Sequence, residues 1–115
     1  MNIDKFIEKR TKEMHTKFRD DCLVIGVDMD GVLCKGELWL NGEKNEPEPI
    51  QENIDKINEL SGSNYIIIHT ARRKKSALIT IDWLDKHGVL YHAVRFDKMP
   101  ADMYIDDKAF NFDIK

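Results

Sequence analysis

The residues with the clearest potential for chemistry are four aspartates in two closely spaced pairs. Asp28 and Asp30 stand two positions apart directly after an apolar run, and Asp106 and Asp107 are adjacent near the end of the chain. Side chains two apart in an extended segment lie on the same side. Two unit charges about 4 Å apart repel by about 4 kcal/mol at an effective dielectric of 20. If the four carboxylates converge they need a cation, and an all-oxygen ligand set favours Mg²⁺.

Other reactive side chains also follow apolar runs. Thr70 and Arg72 come after the run at 65–68, and Lys98 comes after a weaker run at 91–94. With a metal, a lysine and a threonine available, the expected reaction is phosphoryl transfer, which depends on positioning and on electrostatic stabilisation. An aspartate can act as the nucleophile. Gly31 lets the backbone turn sharply or approach a ligand closely.

Strands and helices that could position these residues alternate along the chain. Residues 23–27 and 65–68 are continuously apolar and β-branched, which predicts two strands buried on both faces. Weaker strands are expected at 91–94 and 103–105. This order predicts a mostly parallel α/β sheet, in which ligands bind at the carboxyl ends of the strands.

Two helices are predicted between the strands. The first has one apolar stripe, begins near Pro47 and Pro49 and ends at Gly62; the second is capped by Ser76 and ends at Gly88. The stripe residues are Ile50, Ile54, Ile57 and Leu60 in the first helix, and Leu78, Ile81 and Leu84 in the second. Residues 35–44 do not fit the alternation and are expected to form a small hairpin or flap.

The amino-terminal residues 2–19 have the spacing of a modestly amphipathic helix. Its apolar face is thin, so it is expected to dock either on the domain or on a partner. The predicted organisation is an amino-terminal helical extension at 1–20 and a catalytic domain at 21–115.

Composition bounds the function. A chain of 115 residues fits one domain. Its net charge of -3 is not that of a protein that coats nucleic acid, and no apolar run is long enough to cross a membrane. The amino terminus lacks the apolar segment of a secretory signal, which predicts a cytoplasmic protein. Cys22 and Cys34 lack metal-site spacing and are expected to be reduced and partly buried.

Four segments together resemble the motifs of the haloacid dehalogenase superfamily. They are VDMDGVLC at 27–34, IIIHTAR at 66–72, Lys98 followed by Pro100, and YIDD at 104–107. The resemblance spans residues 23–108 and implies a three-layer Rossmann-like fold without a cap domain. In phosphorelay receiver domains, which use a similar residue set, the acidic pair comes first and the lysine last. The reverse order here argues against a receiver.

The resemblance implies a phosphatase that forms an aspartyl-phosphate. Asp28 would attack phosphorus and bind Mg²⁺. Asp30 would protonate the leaving oxygen, activate the hydrolytic water and bind the metal through its main-chain carbonyl. Asp106 would bind Mg²⁺ directly, and Asp107 directly or through water.

The remaining candidate residues concern the substrate. Thr70 and Lys98 would hold the phosphoryl group, with Gly31 close to it. Arg72 and Arg73 either contact an anionic substrate or are a solvated start to a helix.

The sequence leaves three alternatives for the substrate class and function. A small sugar or related metabolite phosphate is favoured, because capless relatives include such phosphatases. A nucleotide or nucleic-acid-end phosphate is the second possibility, suggested by the basic residues at 72–75. The third is a module that binds Mg²⁺ and a partner without catalysis. An uncapped site excludes water poorly, so a flap, a neighbouring subunit or a macromolecular substrate is expected to close it. The hairpin at 35–44 and the amino-terminal helix are the candidates within the chain.

Overall fold

A computed structural model describes residues 2–14, 22–36, 39–40, 43–44 and 46–112. The described residues form three helices, seven short strands and one 3-10 turn at Lys74–Ser76. In chain order these are α1 (Ile3–Met14), β1 (Val24–Val27), β2 (Cys34–Lys35), β3 (Trp39–Leu40), β4 (Glu43–Lys44), β5 (Glu48–Pro49), α2 (Gln51–Ser61), β6 (Tyr65–His69), α3 (Ala77–Lys86) and β7 (Ala93–Arg95).

The main sheet is parallel and has the order β1-β6-β7. In its register Val27 pairs with Ile68, which in turn pairs with Val94. On the central strand β6, Ile66 and Ile68 lie on one face and are fully buried in a core cluster that includes Ile54 and Ile57. The strands predicted at 23–27 and 65–68 are therefore confirmed, and the third strand lies slightly later than predicted.

Two expectations about the strands were wrong. Val24 and Tyr65, which pair at the amino-terminal end of the sheet, are both exposed, and neither strand is buried on both faces along its length. The strand expected at 103–105 is absent, and Ile105 is 90% exposed. The outer edge of β1 instead borders a groove of about 320 Å³, lined also by α1 and by residues 108–112.

Helix α2 follows its predicted stripe. Ile54, Ile57 and Leu60 are buried in the core, and the helix begins just after the buried Ile50 and ends at Gly62. The stripe is amphipathic at helical spacing, so its burial against the sheet stabilises the helix more than its intrinsic propensity does.

Helix α3 departs from its predicted face. Leu78 is 81% exposed, whereas Thr80, Trp83 and Leu84 are buried. Ser76 precedes the helix but makes no side-chain cap hydrogen bond. Gly88 ends the helix with φ +67°, a left-handed conformation that glycine adopts without steric cost.

Helix α1 docks on the domain. Ile3 and Ile7 pack against the core, and the ring of Phe6 lies 5.4 Å from that of Phe110. Asp4 accepts a hydrogen bond of 2.9 Å from Lys56 on α2. The expected extension to residue 19 falls partly outside the described residues. No helix in the described part of the chain is long and apolar enough to span a membrane.

The predicted flap forms a two-tiered hairpin apart from the main sheet. Strand β3 pairs with β4 and strand β2 pairs with β5, both antiparallel. The base of the hairpin is anchored to α3, because the indole Nε1 of Trp83 donates a 2.8 Å hydrogen bond to the Pro47 carbonyl. The four strands of this hairpin begin at Cys34 and end at Pro49.

Candidate functional site

The first pair of aspartates lies on a tight turn at the carboxyl end of β1. The main-chain N–H groups of Val32 and Leu33 donate to the Met29 carbonyl, and the N–H of Gly31 donates to the Cys34 carbonyl at 2.9 Å. Gly31 has φ +86°, which a residue with a side chain rarely adopts. Met29 is fully buried between the two aspartates, as its apolar side chain predicts. The turn thus leaves Asp28 and Asp30 on the accessible side of the domain.

Asp28 faces the ammonium group of Lys98. Lys98 Nζ lies 4.0 Å from Asp28 Oδ2, and Asp28 Oδ1 accepts a 2.9 Å hydrogen bond from the Met29 N–H. The same Nζ lies 4.7 Å from the centre of the Tyr104 ring, a cation–π distance. The lysine and one carboxylate predicted to act together therefore do lie together, with one carboxylate oxygen free of hydrogen bonds within the described residues.

Asp30 is bound by Arg72 through two parallel hydrogen bonds. Arg72 Nε donates to Asp30 Oδ2 at 3.0 Å, and Nη2 donates to Oδ1 at 2.8 Å. The guanidinium also reaches Thr80 Oγ1 at 3.3 Å and the Cys34 sulfur at 3.9 Å. Only 8% of the Arg72 side chain is exposed. Arg72 was expected either to contact an anionic substrate or to be a solvated start to a helix, and in this structure its donors are directed to the protein.

Backbone hydrogen bonds hold the ends of β6 and β7 together. The Thr70 N–H donates to the Arg95 carbonyl at 2.9 Å, and the Lys98 N–H donates to the Thr70 carbonyl at 3.0 Å. Thr70 is fully buried, and its Oγ1 accepts a 3.1 Å hydrogen bond from the Arg72 N–H. Arg73, in contrast, is 56% exposed and lies 3.5 Å from Asp97. Of the two arginines, Arg73 is the one open to a ligand.

The second pair of aspartates does not join the first in this structure. Asp106 and Asp107 are exposed, and Asp106 Oδ1 accepts a local 2.8 Å hydrogen bond from the Lys108 N–H. Within the described ranges no group of three or more His, Cys, Asp or Glu side chains is placed to hold a metal ion. The donor chemistry of the four carboxylates fits Mg²⁺, but the positions of the two pairs do not.

Two titrating groups beside the site have shifted pKa values. Burial lowers the pKa of His69, and the nearby positive charges of Lys98 and Arg95 lower it further. The imidazole is therefore neutral at physiological pH. Burial, followed by the charge of Asp30, raises the pKa of Cys34 to about 12. Its thiol therefore stays protonated well above neutral pH.

Cys34 is expected to resist alkylation in the folded protein. The thiolate is the reactive form, and Cys34 is both buried and protonated whereas Cys22 is exposed. Treatment with iodoacetamide at pH 8 should label one thiol in native protein and two after denaturation, as counted by mass spectrometry. Native labelling of Cys34 at the rate of Cys22 would contradict this assignment.

Some site residues could not have been found from the sequence. Tyr104 contacts Lys98, and Thr80 and Cys34 contact Arg72, although no local spacing links either set. Both cysteines were expected to be partly buried, but Cys34 is fully buried and Cys22 is exposed.

Comparison with known proteins supports the fold. The chain is similar to an MCSG target from Vibrio cholerae, solved as a crystal structure, with a TM-score of 0.61 and 25% identity over 76% of this chain and 81% of the other. No family model and no curated protein matches the chain. The likeness is to a protein whose description names no activity, so it supports the α/β arrangement alone.

Proposed function

We propose that the protein is a Mg²⁺-dependent phosphomonoester hydrolase of the haloacid dehalogenase type, acting through an aspartyl-phosphate. The main support for the proposal is that two ion pairs, Asp28 with Lys98 and Asp30 with Arg72, lie at the carboxyl ends of three parallel strands. Lys98 lies 4.0 Å from Asp28, and Arg72 lies 2.8 Å from Asp30. Ligand sites of open α/β sheets occur at this edge.

Asp28 is the proposed nucleophile. Its carboxylate forms a bond to phosphorus while the bond from phosphorus to the ester oxygen breaks. Asp30 gives a proton to that oxygen, so the product leaves as an alcohol. Asp30 then takes a proton from water as the water attacks the aspartyl-phosphate, which releases inorganic phosphate and restores Asp28. The ammonium of Lys98 offsets negative charge beside the nucleophile.

A bound Mg²⁺ would offset the charge of the phosphoryl oxygens. Asp28, Asp30 through its main-chain carbonyl, and the pair Asp106 and Asp107 would hold it. This part of the proposal requires the exposed 101–109 segment to move toward Asp28. Two observations support such a movement: the edge of β1 next to the groove has no partner strand among the described residues, and the apolar side chain of Ile105 is almost wholly exposed. A fourth strand at 103–105 would complete the Rossmann-like sheet.

The favoured substrate is a small sugar or related metabolite phosphate. The flap at 34–49 is short, and a site without a cap domain is open to such molecules. A nucleotide or nucleic-acid-end phosphate is the second candidate, because Arg73, Lys74 and Lys75 are exposed next to the site. Exposed cations of this kind bind phosphate backbones.

A phosphate-release screen tests the proposal. The intact chain is assayed against sugar phosphates, mononucleotides and 3′- and 5′-phosphorylated oligonucleotides, with Mg²⁺ and with excess EDTA. We expect release from sugar phosphates that EDTA abolishes and added Mg²⁺ restores. Release greatest from oligonucleotides, and reduced by Lys75→Gln, would favour the second candidate. No release from any substrate, with Mg²⁺ still bound, would contradict hydrolysis and favour a binding module.

A further inference from the structure

Arg72 is the most enclosed cation near the site. Its planar guanidinium meets the Asp30 carboxylate with two donors on two acceptors, at 3.0 and 2.8 Å. Such bidentate pairs fix the orientation of the carboxylate as well as its position. Asp30 itself is 47% exposed and lies on a turn, where the Cys34 thiol donates a longer hydrogen bond of 3.5 Å to Oδ1.

The guanidinium is in turn held by the side chains of two buried residues. Thr80, which is fully buried on α3, lies 3.3 Å from Nη1, and the buried Cys34 sulfur lies 3.9 Å from Nη2. The Arg72 N–H is bound to Thr70 Oγ1. Contacts to α3 and to β2 therefore converge on this one side chain, and its main-chain N–H is bound at the end of β6. Within the described part of the chain, Asp30 is the exposed group to which the guanidinium is bound.

We propose that Arg72 is a positioning residue, which orients Asp30 for proton transfer and does not itself bind the substrate phosphate. The proposal rests on the hydrolysis proposed above, in which Asp30 exchanges a proton with the leaving oxygen and then with water. Each carboxylate oxygen has two acceptor sites. The arginine uses one on each oxygen, and the Cys34 thiol donates to Oδ1 at 3.5 Å, so Oδ2 is the oxygen that keeps a second site for the proton.

Loss of a residue that positions the proton donor lowers the rate of hydrolysis by an amount that depends on the leaving group of the substrate. An alcohol leaves poorly as an alkoxide and needs a proton, whereas p-nitrophenolate leaves without one. Loss of Arg72 should therefore slow hydrolysis of a sugar phosphate much more than hydrolysis of p-nitrophenyl phosphate. A residue that binds the phosphate itself would affect both substrates alike, since both present the same group.

The experiment compares Arg72→Gln with Lys86→Gln, an exposed cation at the end of α3 that pairs with Glu46. For Arg72→Gln we expect kcat/KM for a sugar phosphate, which reports formation of the aspartyl-phosphate, to fall at least about tenfold more than kcat/KM for p-nitrophenyl phosphate. Lys86→Gln should change neither value. Arg72→Lys keeps the charge but cannot span both carboxylate oxygens, so its rate should lie between those of Arg72→Gln and the wild type. This second variant also allows the test if Arg72→Gln does not fold.

The reference variant Asp30→Asn separates positioning from general destabilisation. When Asp30 is already replaced, adding Arg72→Gln should lower kcat/KM for the sugar phosphate no further. Equal losses in kcat/KM on both substrates, or an additional loss of kcat/KM in the double variant, would overturn the positioning role while leaving hydrolysis intact. A wild-type protein that hydrolyses neither substrate would instead overturn the proposed function, and the role of Arg72 with it.

Discussion

Replacing Asp28 by asparagine is expected to lower kcat for phosphate release by at least about 10³-fold, because the amide cannot form the acyl-phosphate bond. The two side chains have nearly the same shape, and Asp28 is only part-buried, so the fold should be retained. The measurement is steady-state phosphate release with Mg²⁺, together with a thermal unfolding curve for each protein.

The control for Asp28→Asn is Asp82→Asn, an exposed aspartate on α3. It makes the same change of charge away from the site, and kcat should stay within about twofold of wild type. Full activity in Asp28→Asn would show that Asp28 is not the nucleophile. An equal loss of kcat in Asp82→Asn would show that the assay responds to charge or folding instead.

Replacing Ile68 by alanine is expected to lower the free energy of unfolding by about 2–5 kcal/mol. Ile68 is fully buried on the central strand, paired with Val27 on one side and Val94 on the other. Truncation therefore leaves a cavity between three elements that cannot easily close. For a domain with a total stability of about 5–15 kcal/mol, the loss is large. Urea unfolding followed by circular dichroism measures it.

The matched control for Ile68→Ala is Val24→Ala on the edge strand. Val24 is 57% exposed, so its truncation removes little buried surface and should cost less than about 1 kcal/mol. Equal destabilisation by the two variants would contradict the assignment of β6 as the core strand and β1 as the edge.

The fold could be predicted best where one pattern has a single physical meaning. Residues 65–68 are apolar without interruption, which predicts a strand buried on both faces. β6 is a strand at the centre of the sheet, although burial alternates along it and only Ile66 and Ile68 are fully buried. The stripe of Ile54, Ile57 and Leu60 repeats at helical spacing, and α2 buries all three. The hairpin at 35–44 was likewise predicted, because its turn-forming residues interrupt the alternation of strands and helices.

The fold was mispredicted where the outcome depends on tertiary neighbours. A three-residue strand such as 103–105 exists only if an edge accepts it, and in this structure it stands exposed instead of pairing with β1. In α3 the apolar Leu78 suggested one face, but the bulky Trp83 and the buried Thr80 set the helix on another. Burial of a threonine depends on a partner that the local sequence does not reveal.

The candidate site was predicted in part. The expectation that residues following successive strands come together holds for Asp28 with Lys98 and for Asp30 with Arg72. The resemblance implied that Lys98 lies beside Asp28. The pairing of Arg72 with Asp30 was not predicted, because it depends on how the turn at Gly31 and the loop after β6 face each other. The metal ligand set of the four aspartates stays a prediction, since Asp106 and Asp107 lie away from the first pair here.

The central claim is that Asp28 becomes phosphorylated during turnover. Protein quenched in acid while hydrolysing substrate with Mg²⁺ can be digested and examined by mass spectrometry. We expect a peptide containing Asp28 to carry the mass of one phosphoryl group, and Asp28→Asn to carry none. The mechanism would be contradicted if active wild-type protein carried the phosphoryl group on another residue. It would also be contradicted if the protein carried none under conditions where breakdown of the intermediate limits the rate.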